Sequence, residues 1–253
     1  AGGDVTNPTW TPDGRALYFV STATGRPELY RQTIDGGGNA VRVSDIATGV
    51  TGVTPLSAAV AATQPSTTVF VAPGQYAGGI KTTANGSASG RIYWVSTKKW
   101  GAKIVPPANS TNDSAWDNRG HYVSISGFEG SGKKPGSGTL WRHGIYTGGS
   151  YSVIEGNHVH HLATTIPCTS GGGSAIGVDS YYWGIKGDVI GNRVHDVGPA
   201  GCRYVQGIYM STSGSVKNNV VFRIAQAAIH LWHDAKDLQI VNNTVSSSVF
   251  GII

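Results

Sequence analysis

Methionine occurs once and glutamate three times (Glu28, Glu129, Glu155), and only 13% of the 253 residues are charged, so good helix formers are scarce. A mainly helical fold is excluded. No run of 18 apolar residues offers a membrane-spanning helix, and the first residues lack a charged-then-apolar leader. The two cysteines, Cys168 and Cys202, fit neither a CxxC redox motif nor a metal-ligand spacing, which leaves a disulfide or two inert buried thiols. Basic clusters are also missing. Nineteen Lys+Arg against 14 Asp+Glu give a net charge of +5 that would steer an acidic partner, but the cations are scattered, so an acidic glycan suits the chain better than DNA or RNA. The glycine-rich strings lack the strand-to-helix setting of a phosphate loop or dinucleotide fingerprint, and no nucleophile elbow occurs.

What is abundant is glycine (37), tyrosine (11) and tryptophan (7), a composition of strands and turns. The strands are organised by a repeat. An apolar residue followed three positions later by Asn recurs as Ile154–Asn157, Val189–Asn192, Val216–Asn219 and Ile240–Asn243, each with a valine two residues on (Val159, Val194, Val221, Val245). A second column runs ahead of it: Gly144-Ile145-Tyr146, Ala175-Ile176-Gly177, Gly207-Ile208-Tyr209, Ala228-Ile229-His230 and Gly251-Ile252-Ile253. Successive anchors lie 35, 27 and 24 residues apart, the signature of one coil plus a loop of variable length. No such coil can bury its apolar face alone, so coils stack with Ile and Val inward. Asn at one turn of every coil then forms a ladder and tolerates left-handed backbone.

This GIY…NN-T-V pattern resembles the right-handed parallel β-helix superfamily that includes pectate, alginate and chondroitin lyases and NosD-type repeats, over roughly residues 54–253. Pro55 to Thr63 reads as a short amphipathic helix capping the core, and Thr68 to Tyr76 (TVFVAPGQY) is similar to the strand that opens many such solenoids. Ile92–Val95 and Gly101–Val105 fit first-coil strands. Pro8 to Val43 instead resembles one PD40 repeat of a TolB-type propeller, through Trp10-Thr11-Pro12-Asp13-Gly14, Leu17–Val20 and Glu28-Leu29-Tyr30. One blade cannot close a propeller, so this segment is expected to dock on the β-helix or pair with a partner. The expected architecture is therefore all-β: a β appendage over 1–48 and a parallel β-helix solenoid over 49–253. The chain stops inside a core strand at Gly251-Ile252-Ile253, so a missing segment or a second chain is expected to cover that end. Ala1 followed by two glycines suits a mature N-terminus after signal removal, hence a secreted or periplasmic protein.

The resemblance implies a substrate lying across the outward face of one parallel sheet, here the GIY column. Period-two alternation points Tyr146, Gly177, Tyr209 and His230 outward in one row, Gly148, Asp179, Ser211 and Trp232 in the next, and His143, Ser174 and Gln206 in a third. Aromatic faces suit sugar rings. Lyase chemistry on a uronic acid needs a cation for the carboxylate, a base for the α-proton and an acid for the leaving oxygen. The catalytic candidates are Tyr209, His230, His233 and Asp234; the substrate-binding candidates are His143, Tyr146, Asp179, Arg203, Trp232 and Lys236, with Arg142 a further carboxylate fork. A calcium site gains little support, because Asp179 and Asp234 are the only carboxylates placed near this face and sit two coils apart. No cofactor is expected. Paired-carboxylate hydrolysis is disfavoured, since the NTD, DD, HG and RIK motifs of polygalacturonases are absent as a set.

A second histidine set, His158, His160, His161 and His195, follows the Asn turns. The HVHH string has zinc-ligating residues, but alternate strand positions face opposite sides, which favours a stacked polar surface. Cys168 and Cys202 lie eight and six residues ahead of Ile176 and Ile208 on consecutive coils, so their loops are expected to approach and be bridged. The alternative function for the whole chain is a non-catalytic β-helix that binds glycan or belongs to a surface assembly.

Overall fold

The computed structural model describes residues 5–10, 16–21, 28–33, 41–45, 53–54, 56–106, 113–133, 141–179 and 186–253. The chain divides into two compact units, Ala1–Thr51 and Gly52–Ile253. The first holds an antiparallel sheet of four successive strands, Val5–Trp10, Ala16–Ser21, Glu28–Thr33 and Val41–Asp45. Its central pair is in register over six residues, which stacks Phe19 on Tyr30 with ring centroids 5.7 Å apart. The Thr11–Gly14 turn, which carries much of the propeller resemblance, lies outside the described residues.

The second unit is a parallel β-helix. Each coil contributes one strand to each of three faces. The first face stacks Gly74–Ala77, Ala102–Val105, Glu129–Ser131, His158–Leu162 and Arg193–Val197. The second stacks Ile80–Thr82, Ser114–Asn118, His143–Thr147, Gly173–Val178 and Val205–Met210. The third runs from Thr68–Val71 through Ile92–Ser96, Val123–Ser126, Ser152–Glu155, Lys186–Ile190 and Ser213–Lys217 to Leu238–Val241. Two long strands, Val220–Leu231 and Thr244–Ile252, turn the corner between the first and second faces without a break, which merges those faces into one sheet.

Register puts like on like. Ile145, Ile176, Ile208, Ile229 and Ile252 form one column, and Ile125, Ile154, Val189, Val216 and Ile240 another. The columns are buried as far as Ile229 and Val216 and become partly exposed in the last coil. Towards the N-terminal end the columns widen into tryptophan: Trp94 pairs with Ile125, Trp116 with Ile145, and their rings meet edge to face at 5.1 Å. The helix is shorter than expected, Ser57–Ala62, and packs Ala59 and Val60 beside Leu56 against this core. The glycine of the GIY column has a steric cause. A Cβ on Gly144 or Gly207 would come within 2.4 Å or 2.5 Å of the carbonyl oxygen of Ala175 or Ala228 on the next coil. Glycine and alanine therefore alternate from coil to coil at this corner.

The asparagine ladder forms as the repeat implies. Asn157, Asn192, Asn219 and Asn243 are joined amide to amide at 3.1, 3.0 and 2.9 Å. Each Nδ2 also donates to a third-face carbonyl one coil earlier, those of Ile125, Ile154, Val189 and Val216. Each Oδ1 accepts the backbone N–H one coil back, so both ends of each internal amide are satisfied inside the wall. One detail differs from expectation. The left-handed residue is not the ladder asparagine but the one before it: Gly156, Gly191, Asn218 and Asn242, with φ between 55° and 64°. The ladder side chain points inward because its predecessor makes the turn.

Candidate active site

A cleft of about 630 Å³ opens on the second face. Its floor is the outward row of the GIY column, where Tyr146 pairs with Gly177, Gly177 with Tyr209, and Tyr209 with His230. Gly177 is essential to the shape. A Cβ there would stand 2.8 Å from the Tyr146 ring, so the missing side chain is the space into which that ring lies. One wall is made by loops ahead of the second-face strands, with Ser170–Gly173 from one coil and Arg203 and Tyr204 from the next. The Cys168–Cys202 disulfide ties these two loops together, with Cα atoms 5.5 Å apart. The expected bridge is present, and it positions the wall.

Polar groups in the cleft are held by partners on other coils. Asp179 accepts the Tyr146 hydroxyl at 2.7 Å through Oδ2 and the Ser211 hydroxyl through Oδ1. Burial first, then the bond to Asp179, pushes the Tyr146 phenol above its ordinary value. The Arg119 guanidinium lies over the Tyr146 ring at 5.1 Å. His143 meets the Ser174 hydroxyl at 3.2 Å, and burial pushes its imidazole down to about 4.

At the far end, the Tyr209 and His230 rings meet edge to face at 5.5 Å. The Gln206 amide fits its surroundings with Nε2 donating to the carbonyls of Gly173 (3.0 Å) and Tyr204 (3.2 Å), so that Oε1 accepts from His230 Nδ1 at 3.3 Å. This fixes the proton on Nδ1 and leaves the His230 Nε2 lone pair unprotonated. Burial, with His233 adding to it, holds the His230 pKa below the ordinary imidazole value. Trp232 follows at 5.8 Å from His230, with 58% of its surface exposed, and His233 closes the rim.

Of the residues picked out in the sequence, the fold gathers Tyr209, His230, His233, His143, Tyr146, Asp179, Arg203 and Trp232 around one cleft. Asp234 and Lys236 are exposed on the turn beyond Trp232 and do not line it. Arg142 donates to the Gly172 carbonyl at 3.1 Å, bracing the loop rather than entering the cleft. Tyr204 and Gln226 line the cleft and were missed. Tyr204 sits in the loop beside Arg203, where no period applies. Gln226 reaches the cleft because the pairing of Val220–Leu231 slips between Ile224 and Ala227, and only the irregular count of residues between Val221 and Ile229 hints at that.

The second histidine set departs from the alternation expected for it. His158 and His160 do share the outward side, with Val159 buried between them. His161 should point the other way, but its φ of 53° interrupts the alternation within the strand, and its ring lies on the same side as His160. Its Nδ1 lies 2.6 Å from His160 Nδ1. Two groups with metal-ligating atoms within 4.8 Å of one another result, Glu129–His158–His160 and His161–His195–Asp196.

Among solved structures, the β-helix resembles an alginate lyase from Paenibacillus sp. str. FPU-7, with a TM-score of 0.63 and 15% identity over 78% of this chain and 66% of that one. It also resembles the pectate lyase Pel9A, with a TM-score of 0.56 and 17% identity over 74% of this chain and 47% of that one. The chain thus spans somewhat under two thirds of the first enzyme's length and about half of the second's. At these identities the likeness is one of fold. A search of curated proteins returns no match. The model of one family, described as the right-handed β-helix region, matches residues 109–245. That match covers just over half the sequence and every cleft-lining residue except Ile253, and the chain belongs to this family.

Proposed function

We propose that the cleft binds a uronate-containing polysaccharide and cleaves it by β-elimination, in a protein that is secreted. The observation that carries this reading is the Gln206–His230–Tyr209 set: an imidazole whose Nδ1–H is committed to Gln206, whose Nε2 is kept unprotonated by burial, and which stands against a phenol. In the reaction, Arg203 on the cleft wall neutralises the uronate carboxylate and so acidifies the carbon beside it. His230 Nε2 takes the proton from that carbon. The electron pair left behind forms a carbon–carbon double bond as the bond to the leaving glycosidic oxygen breaks, and the Tyr209 hydroxyl delivers a proton to that oxygen. Trp232 supplies a flat apolar platform at the rim, and Asp179, fixed by Tyr146 and Ser211, offers its remaining lone pairs to sugar hydroxyls. The alginate and pectate lyases with the same fold support the reaction class.

The test is incubation with pectate, alginate and glycosaminoglycans, following the ultraviolet absorbance of the unsaturated uronate. Product should form from at least one. His230→Asn and Tyr209→Phe should each lower kcat by about a hundredfold or more with the fold intact, whereas Asp234→Ala should cost less than about threefold. Glycan binding without unsaturated product from any substrate would replace elimination by the non-catalytic binding role.

A further inference from the structure

The first face carries a side-chain cluster that the proposed elimination does not use. Glu129, His158 with His160 and His161, and His195 with Asp196 come from three successive coils, held in register by direct pairing of Glu129 with His158 and His160 with His195. Four imidazoles thus converge. His158 Nε2 stands 2.7 Å from His195 Nε2, and His160 Nε2 stands 3.4 Å from Glu129 Oε1. The Trp100 ring covers one end at 4.7 Å from His158, and Phe222 covers the other at 4.7 Å from His195. His161, with 38% of its side chain exposed, and Asp196, with 26%, open the cluster towards water.

We propose that this cluster is a binding site for a divalent transition-metal ion of the zinc class, with Glu129, His158 and His160 as ligands, that clamps neighbouring coils of the β-helix. Three features carry it beyond a row of stacked rings. The spacing fits: donors on one tetrahedral zinc ion stand roughly 3.3 Å apart, and His160 Nε2 and Glu129 Oε1 are already at that separation. The outer nitrogens are committed. His195 Nδ1 donates to Asp196 Oδ2 at 2.5 Å, and Arg223 holds that carboxylate at 2.6 and 2.7 Å, so His195 Nε2 accepts from His158 Nε2 and the His158 lone pair lies on Nδ1, the nitrogen that would meet the ion. His160 Nδ1 is likewise engaged by His161, which leaves Nε2 facing Glu129.

The charge balance selects the ion. Glu129 and Asp196 are offset by Lys103 and Arg223, so the pocket offers imidazole lone pairs more than negative charge. That suits Zn²⁺, Co²⁺ or Ni²⁺ and disfavours Ca²⁺ and Mg²⁺. Lys103, half exposed, can leave Glu129 for solvent when the ion enters.

The test is titration of the full chain with Zn²⁺ by calorimetry and thermal unfolding. One ion should bind per chain, and at a hundredfold excess over Kd the midpoint should rise on the order of 5 °C, with no rise from Ca²⁺ or Mg²⁺. His158→Gln and His160→Gln should each weaken binding at least about tenfold, and Glu129→Gln should also weaken it. An absent Zn²⁺ response, or an affinity unchanged in the doubly substituted H158Q/H160Q protein, overturns the site. Should these variants not fold, Co²⁺ added to the unsubstituted protein decides: the ring protons of His158 and His160 must shift while those of His230, in the cleft, do not. Zinc binding and elimination are read separately, so either can fail alone.

Discussion

The cleft and the histidine row occupy neighbouring faces of one solenoid and use the same kind of position, the outward side of a strand stacked coil on coil. They differ in what surrounds that position. On the second face, the loops ahead of the strands are long and bridged by Cys168–Cys202, so they rise into a wall and turn a flat sheet into a cleft. Polar groups there bond sideways to partners such as Ser211 and Gln206 and leave functional atoms facing the space between. On the first face, the strand follows its ladder asparagine directly, with no residue between Asn157 and His158 or between Asn192 and Arg193. The imidazoles meet one another instead of a ligand-sized space. In a β-helix, then, the rows supply the chemistry, and loop length decides whether a row becomes a cleft for a chain or a cluster the size of an ion.

The largest effect expected from breaking this comparison comes from the ladder. Asn192→Leu keeps the branching of the side chain but removes the Oδ1 that accepts from the Asn157 backbone N–H and the Nδ2 that donates to Ile154 O, leaving both buried and unpaired. We predict a loss of about 4 kcal/mol in urea unfolding. The damage should be one-sided. Amide exchange should quicken in His158–Leu162 and Arg193–Val197, which hang directly from the ladder, more than in Val205–Met210 across the coil. Equal acceleration on both faces would mean that the ladder supports the solenoid as a whole.

The same asymmetry explains what the sequence makes legible. Columns repeat, so Ile145, Ile176, Ile208 and Ile229, and the outward residues one position on, can be aligned by eye once the Asn turns are set in register. That is why Tyr146, Tyr209 and His230 can be placed on one row without coordinates. Loops and irregular backbone do not repeat. Tyr204 rides on a loop, Gln226 on a slipped register, and His161 on a left-handed residue that no period encodes. Asp234 and Lys236 were drawn towards the site by nearness in sequence to His233, but the strand has ended by then and the chain turns outward. The glycine at Gly144 was legible as part of a motif, whereas its cause, the approach of the Ala175 carbonyl, is visible only in three dimensions.

A smaller effect isolates the wall. Cys202→Ser opens a covalent loop closed across 34 residues, for which about 3 kcal/mol of stability should be lost. Its functional signature should be confined to the cleft. Arg203, next in sequence, loses its tether, so KM for an acidic polysaccharide should rise more than kcat falls, while zinc affinity on the first face stays within about twofold. A parallel loss of zinc affinity would show that the loops and the histidine row are mechanically coupled.

The smallest effect concerns acid. His143 has a folded pKa of about 4 against 6.5 for an ordinary imidazole, chiefly through burial, with the nearby Asp113 and Asp179 favouring its charged form and Arg142 and Arg119 opposing it. As pH falls through 6.5 the unfolded chain takes up this proton and the folded chain does not, so stability is full above 6.5 and drains away until about 4, where both states are protonated. His143→Gln removes that one drain. Between neutral pH and pH 4 the variant should therefore lose less stability than the parent, by on the order of 2 kcal/mol, when urea midpoints are compared across the range. Because the substituted residue lies in the cleft, zinc-dependent stabilisation measured at neutral pH should be the same in both proteins. Superimposable pH profiles would show that the floor of the cleft admits enough water for His143 to titrate like a surface histidine.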